Sequence, residues 1–303
     1  MNYRSVNDLN RCIVGNLPRL PRDIDLVVGI PRSGVLAANL IALHLNLPVV
    51  DLEGFIEGRA WSGGERQKLY CPTKDPAGIK ALIVDDTVHT GGEIGKAKER
   101  VRAAGLSQRV LYVCVYVAPQ SKEMVDLYFE VCPPPRVFEW NLMHHSFLDD
   151  SCMDIDGVLC RDPSREENDD GPRYRDFVAK VEPLRIPTVR VGHLVTCRLE
   201  KYRELTVAWL AQQGVKYRQL VMMDYPSKEA RIAAGSHGRF KAAAYTRADA
   251  LLFIESDREQ AQEIAQLSGR PVFCVATGEM INPQSTVPPP LPSGDLPQPG
   301  ARG

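Results

Sequence analysis

Short apolar runs alternate with helical stretches along most of this chain, and that alternation limits the folds open to it. DLVVGI (25–30), LPVVDL (47–52), ALIVDD (81–86) and RVLYVCVYV (109–117) read as strands. GVLAANLIALHLN (34–46) and GGEIGKAKERVRAAG (91–105) read as helices between them. Continuous apolar strands interleaved with helices predict a parallel sheet covered on both faces. CPPPR (132–136) interrupts the pattern, and a second alternation follows. SCMDIDGVL (151–159) is a strand and turn, and HLVTC, QLVMMD, ALLFIES and PVFCVAT are further strands. A helix over 200–214 ends at Gly214, as a helix C-terminus favours. The expectation is α/β with two doubly wound domains, at 1–147 and 148–281. A proline-rich tail, 282–303, cannot bury a core and is expected to be disordered.

Length agrees with two domains, since the chain has 303 residues. Lys plus Arg number 37 and Asp plus Glu 38, a net charge of −1. That balance excludes a general polyanion-binding surface, so nucleic acid is not an expected partner. No apolar stretch approaches the ~18 residues of a membrane span. The start carries Asp8 and no apolar signal core. The eight cysteines are scattered with no C-x-x-C pair, which argues against a zinc ribbon or a disulfide framework. Reduced thiols in the cytoplasm are expected.

LIVDDTVHTGG (82–92) carries the first chemical signal. A buried strand ends in Asp85 and Asp86, and a Thr/Gly-rich turn then leads into a helix. Ligands of open α/β sheets bind at the carboxyl ends of strands. Backbone N–H groups and the hydroxyls of Thr87 and Thr90 beside a helix N-terminus suit a phosphate. Adjacent carboxylates suit vicinal hydroxyls. Together these describe a cradle for ribose 5-phosphate.

The stretch resembles the phosphoribosyl-diphosphate (PRPP) motif of type I phosphoribosyltransferases. The resemblance implies that Asp85 and Asp86 hold the ribose hydroxyls and that Thr87, Thr90, Gly91 and Gly92 lie in the loop around the 5-phosphate. VVGIPRSG (27–34) resembles the same family's diphosphate loop, with Arg32 and Ser33 as contacts and Gly34 opening the helix. EGRAWSGGERQKLYCP (57–72), with Arg59, Arg66 and Lys68, stands where the family has a loop that closes over the diphosphate. Closure keeps water from an oxocarbenium-like sugar cation. RVFEWNLMHH (136–145) is the candidate hood over an acceptor base, with Phe138 or Trp140 placed to stack on it. The family's habit also implies a homodimer.

MDIDGVL (153–159) carries the second signal, two aspartates two apart at a strand end. One can attack phosphorus while the other moves protons. This resembles the first motif of haloacid dehalogenase (HAD)-like phosphatases. The resemblance implies Asp154 as nucleophile and Asp156 as acid and base. It implies Thr196 on the phosphoryl oxygen and Lys241 as the neutralising lysine, with Lys228 as runner-up. Mg²⁺ would be held by Asp154, Asp156, Glu255 and Asp257, although the family more often has Asp at the position of Glu255. Only about 40 residues separate Asp156 from Thr196, so little or no cap is expected.

The two resemblances imply a bifunctional enzyme. One domain would transfer ribose 5-phosphate from PRPP to a nucleobase-like acceptor. The other would hydrolyse a phosphate monoester through an aspartyl-phosphate. The competing expectation is a PRPP-sensing domain that controls a phosphatase of unrelated substrate.

Overall fold

The computed structural model describes residues 1–59, 78–235 and 237–283. Two compact units divide at Met1–Leu142 and Met143–Gly303. Residues 143–147, expected with the first domain, group with the second. The basic positions Arg66 and Lys68 and nearly all of the proline-rich tail lie outside the described residues.

The first unit opens with β1 (Asn2–Arg4) and α1 (Val6–Asn16). Ser5 caps α1 in a reciprocal box: its hydroxyl accepts from Asp8 N, and the Asp8 carboxylate accepts from Ser5 N. There follow β2 (Leu26–Gly29), α2 (Gly34–Leu45), β3 (Val49–Asp51) and α3 (Leu52–Ile56). After them come β4 (Ala81–Val88), α4 (Gly92–Ala103), β5 (Val110–Val117), β6 (Leu127–Val131) and β7 (Arg136–Phe138). The main sheet is parallel, in the order β3-β2-β4-β5-β6.

Alternate residues of each central strand feed two cores. Val27, Leu82 and Val84 pack with Leu9, Ala37 and Ile41 on one face. Val28 and Ile83 pack with Ile94, Ala97 and Val101 on the other. Each such aliphatic side chain, fully buried, contributes about 1.5–3 kcal/mol. This two-sided burial is why the strands read as unbroken apolar runs. β1 and β7 form a separate parallel pair that the sequence reading did not anticipate.

The second unit contains β8 (Ser151–Met153), α5 (Pro172–Lys180), β9 (Val191–Leu199), α6 (Arg203–Gln212) and β10 (Tyr217–Met223). It continues through α7 (Lys228–Ala233), α8 (His237–Ala248), β11 (Leu252–Glu255), α9 (Arg258–Ser268), β12 (Val272–Cys274) and β13 (Glu279–Ile281). The sheet order is β10-β9-β8-β11-β12-β13, parallel except for the last strand. Gly214 follows α6 with φ 69°, the left-handed conformation expected of it. The β8 strand is shorter than predicted, because Asp154 onward turns and Gly157 sits at φ 76°. Between Asp156 and β9 the sole α-helix is the nine-residue α5. Among the described residues no helix is long and apolar enough to cross a membrane.

Candidate functional site

In the first unit the candidate residues collect at the carboxyl ends of β2 and β4. β4 runs past both acids to Val88, so Thr87 lies in the strand and the loop proper is His89–Gly91. Gly91 is the N-cap of α4, with φ 81° and no side-chain capping bond. A β-carbon there would lie 2.3 Å from Met124 Sδ, so both space and conformation require glycine. The first N–H groups of α4 therefore have no side-chain cap and suit an anion. Ser121 donates to His89 O and ties the loop down. Thr87 Oγ1 is buried without a hydrogen-bond partner among the described residues.

Asp85 and Asp86 are both buried. Asp85 Oδ1 accepts from Asp86 N at 2.9 Å. Burial, and then the neighbouring charge of Asp86, push the Asp85 carboxyl up to about 8. Asp86 Oδ2 accepts from Trp140 Nε1 at 2.7 Å. Gly34 lies against this pair, since a β-carbon on it would stand 2.8 Å from Val84 O and 3.0 Å from Asp85 Oδ1. The glycine thus lets the β2–α2 turn, with Arg32 and Ser33, approach the end of β4. Arg32 is exposed and donates to Asn141 Oδ1. Arg59 pairs with Asp51 and Glu57 at the edge of the sheet.

The hood aromatics do not stand open as a pair. Phe138 is buried, and its ring lies 5.1 Å from that of Trp140 and 5.5 Å from that of Tyr116. Phe138 therefore covers the sheet. Trp140 is half-buried and is tied to Asp86.

In the second unit Asp154 leaves the end of β8, flanked by β9 and β11. Lys241 Nζ, on α8, lies 2.5 Å from Asp154 Oδ2, 2.6 Å from Glu255 Oε2 and 2.9 Å from Gln260 Oε1. Its three N–H bonds are thereby all used. Two buried carboxylates sharing one ammonium leave an excess negative charge. Burial, opposed by Lys241 and reinforced by Glu255, raises the Asp154 carboxyl to about 7. The carboxylates in turn hold Lys241 protonated against its burial. Lys228, the runner-up, instead donates to Asn168 O. Thr196 is fully buried on β9, and its Oγ1 accepts from Arg198 N.

The four carboxylates expected around a metal do not converge. Asp156 is gripped by the buried Arg198 guanidinium, with Nη2 at 2.7 Å and Nε at 3.1 Å. Asp257 caps α9 by accepting from Gln260 N. Glu255 Oε1 accepts from the N–H groups of Ser256 and Asp257. Lys241 fills the place between Asp154 and Glu255. Among the described residues no group of three or more His, Cys, Asp or Glu is arranged to hold a metal ion. The donor set thus does not fit Mg²⁺ as expected, because cationic side chains and backbone amides already satisfy it.

A cavity of about 180 Å³ opens beside Asp154 and Lys241 and is also lined by Arg231, His237, Cys197 and Tyr174. Arg231 Nη1 donates to Cys197 O, while its Nε is buried without a partner among the described residues. Burial, with Arg231 and Lys241 nearby, lowers the pKa of His237. The sequence reading missed Arg198, Arg231 and His237. The one local signal for Arg198 is its place two residues after Thr196, on the same face of a strand.

Comparison with known proteins bears on the first unit. Residues 3–151 match the phosphoribosyl transferase domain family. The N-terminal half is thus similar to phosphoribosyltransferase domains. Over 83 residues the chain is 37% identical to the orotate phosphoribosyltransferase of Sulfolobus acidocaldarius, covering 27% of this chain and 39% of that protein. Over 107 residues it is 33% identical to the xanthine-guanine phosphoribosyltransferase of Chromohalobacter salexigens, covering 35% and 61%. Over 118 residues it is 30% identical to the transcriptional regulator GfcR 2 of Methanosarcina barkeri, covering 38% and 54%. The chain thus spans about two fifths to three fifths of the length of these relatives.

Proposed function

We propose that the first unit transfers ribose 5-phosphate from PRPP, taken as its magnesium salt, to a nucleobase-like acceptor. The carrying observation is the strand end at 85–92. It joins two buried acids, a Thr87 hydroxyl without a partner among the described residues and a helix N-terminus, opened by Gly91, that has no side-chain cap. The 5-phosphate docks on the N–H groups of α4, Asp85 and Asp86 accept the ribose hydroxyls, and Arg32 neutralises the diphosphate. The enzyme's task is placement and charge compensation, because displacement at the anomeric carbon needs no protein nucleophile.

For the second unit we propose phosphate-monoester hydrolysis with Asp154 as nucleophile. Lys241 neutralises the phosphoryl group, and Thr196 donates its hydroxyl to it. Support comes from Lys241 reaching Asp154 and Glu255 across three separate elements. Arg231, which lines the same cavity, adds a second cation for a phosphate. Removing phosphate from the first product would make ribosyl transfer effectively irreversible.

A second reading is a PRPP-sensing module without turnover, favoured by the similarity to the GfcR 2 regulator. One experiment separates the two. The full chain is incubated with PRPP, Mg²⁺ and a panel of bases while diphosphate and phosphate are followed. Base-dependent diphosphate release supports transfer. Saturable PRPP binding with no release for any base supports sensing.

A further inference from the structure

Two consecutive side chains of the hood reach both halves of the phosphosugar site. Trp140 Nε1 donates to Asp86 Oδ2 at 2.7 Å, and Asn141 Oδ1 accepts from Arg32. Asp86 belongs to the acid pair at the end of β4, and Arg32 to the turn after β2. No other link between these groups is needed to set their orientation, because the hood itself is anchored. β7 pairs with β1 in register, Glu139 accepts from Val6 N at 2.7 Å, and Leu142 is buried. The Trp140 ring rests against Phe138 and lies 6.5 Å from the ring of Tyr116.

An indole has one donor and no acceptor. A buried carboxylate that receives it is fixed in rotation, with one oxygen committed and the other left to accept. A hydrogen bond to a charged group is worth roughly twice a neutral one. Asn141 does the converse for Arg32, holding a long side chain whose freedom would otherwise be lost on binding.

We infer that Trp140 and Asn141 are positioning residues for PRPP, which preset Asp86 and Arg32, and that Trp140 is not the platform on which the acceptor base stacks. This rests on the phosphoribosyl-transfer reading. It assigns the hood a task on the sugar side of the reaction. Selection of the base then falls to other groups.

The test is calorimetric titration of PRPP with Mg²⁺ into the full chain and its W140F, N141A, D86A and W140F/D86A variants. W140F keeps an aromatic ring and loses only the N–H donor. Its PRPP affinity should fall about tenfold, and that of N141A about threefold. W140F/D86A should bind within twofold of D86A alone, because each change removes the Trp140–Asp86 hydrogen bond. In turnover, W140F should raise KM for PRPP and leave KM for the base within twofold. The inference is overturned if W140F binds PRPP like the parent, if the two losses add, or if the loss falls on KM for the base. A parent chain that does not bind PRPP at all overturns the transfer reading, and this inference with it.

Discussion

Two acid pairs stand near the carboxyl ends of two buried strands in this protein, and their surroundings differ. Asp85 and Asp86 form no ion pair among the described residues; a backbone amide and an indole serve them. Asp154 meets Lys241 at 2.5 Å, and Asp156 meets Arg198 at 2.7 Å. Acids that accept from neutral sugar hydroxyls need no counter-charge. Acids that must meet a phosphoryl group do, because carboxylate and phosphate repel. On the proposed functions, the same motif shape, two carboxylates near a strand end, would serve different chemistry according to the cations that the fold supplies.

The largest expected effect comes from removing the second pair's nucleophile. Asp154→Asn should abolish phosphate release by at least about a thousandfold while leaving diphosphate release intact. Retained phosphate release would break the comparison. Next, Asp85→Asn should weaken PRPP binding by roughly tenfold to a hundredfold at about pH 9, where Asp85 is ionised and the exchange replaces an acceptor-only group with an amide. Phosphate release should be unchanged, as measured on a generic phosphate monoester.

Lys241→Met removes the one cation that Asp154 and Glu255 share among the described residues. It should cost about 3–5 kcal/mol in urea-unfolding stability at neutral pH, because two buried carboxylates lose their partner. The loss should shrink as pH falls below about 7, where Asp154 protonates.

The smallest effect is a titration. The Asp85 carboxyl is raised to about 8 in the folded chain. The unfolded chain loses that proton near ~4. The stabilising contribution is therefore complete below about pH 4 and lost as pH rises through about 8. PRPP affinity should move the other way and tighten between about pH 7 and 9 as Asp85 ionises. Asp85→Asn should flatten that profile in isothermal titrations.

Much of this was legible because apolar runs and strand-end acids are local signals. Strands β2 to β5 and β8 to β12 fell on the apolar runs, whereas β6 and β13 were not read, and Lys241 could be singled out by its spacing of fourteen residues before Glu255. What was not legible depends on groups distant in sequence. Arg198 takes Asp156 out of a metal cluster across 42 positions, and Trp140 engages Asp86 across 54. Neither partnership leaves a pattern in spacing. Short elements were also missed: β1 and β7 have three residues each, and they form only because they pair with each other. The strand reading stopped at Asp86, whereas β4 continues to Val88 because Thr87 and Val88 still pair with Tyr116 and Val117.

The central claim is that the end of β4 handles PRPP. Diphosphate release from PRPP, Mg²⁺ and a base panel, compared across the parent chain, Asp154→Asn and Asp85→Asn, tests it most directly. Release is expected from the parent and from Asp154→Asn, with a loss of at least about tenfold in Asp85→Asn at subsaturating PRPP and about pH 9. Release that is undiminished in Asp85→Asn, or absent from the parent with every base, would contradict it.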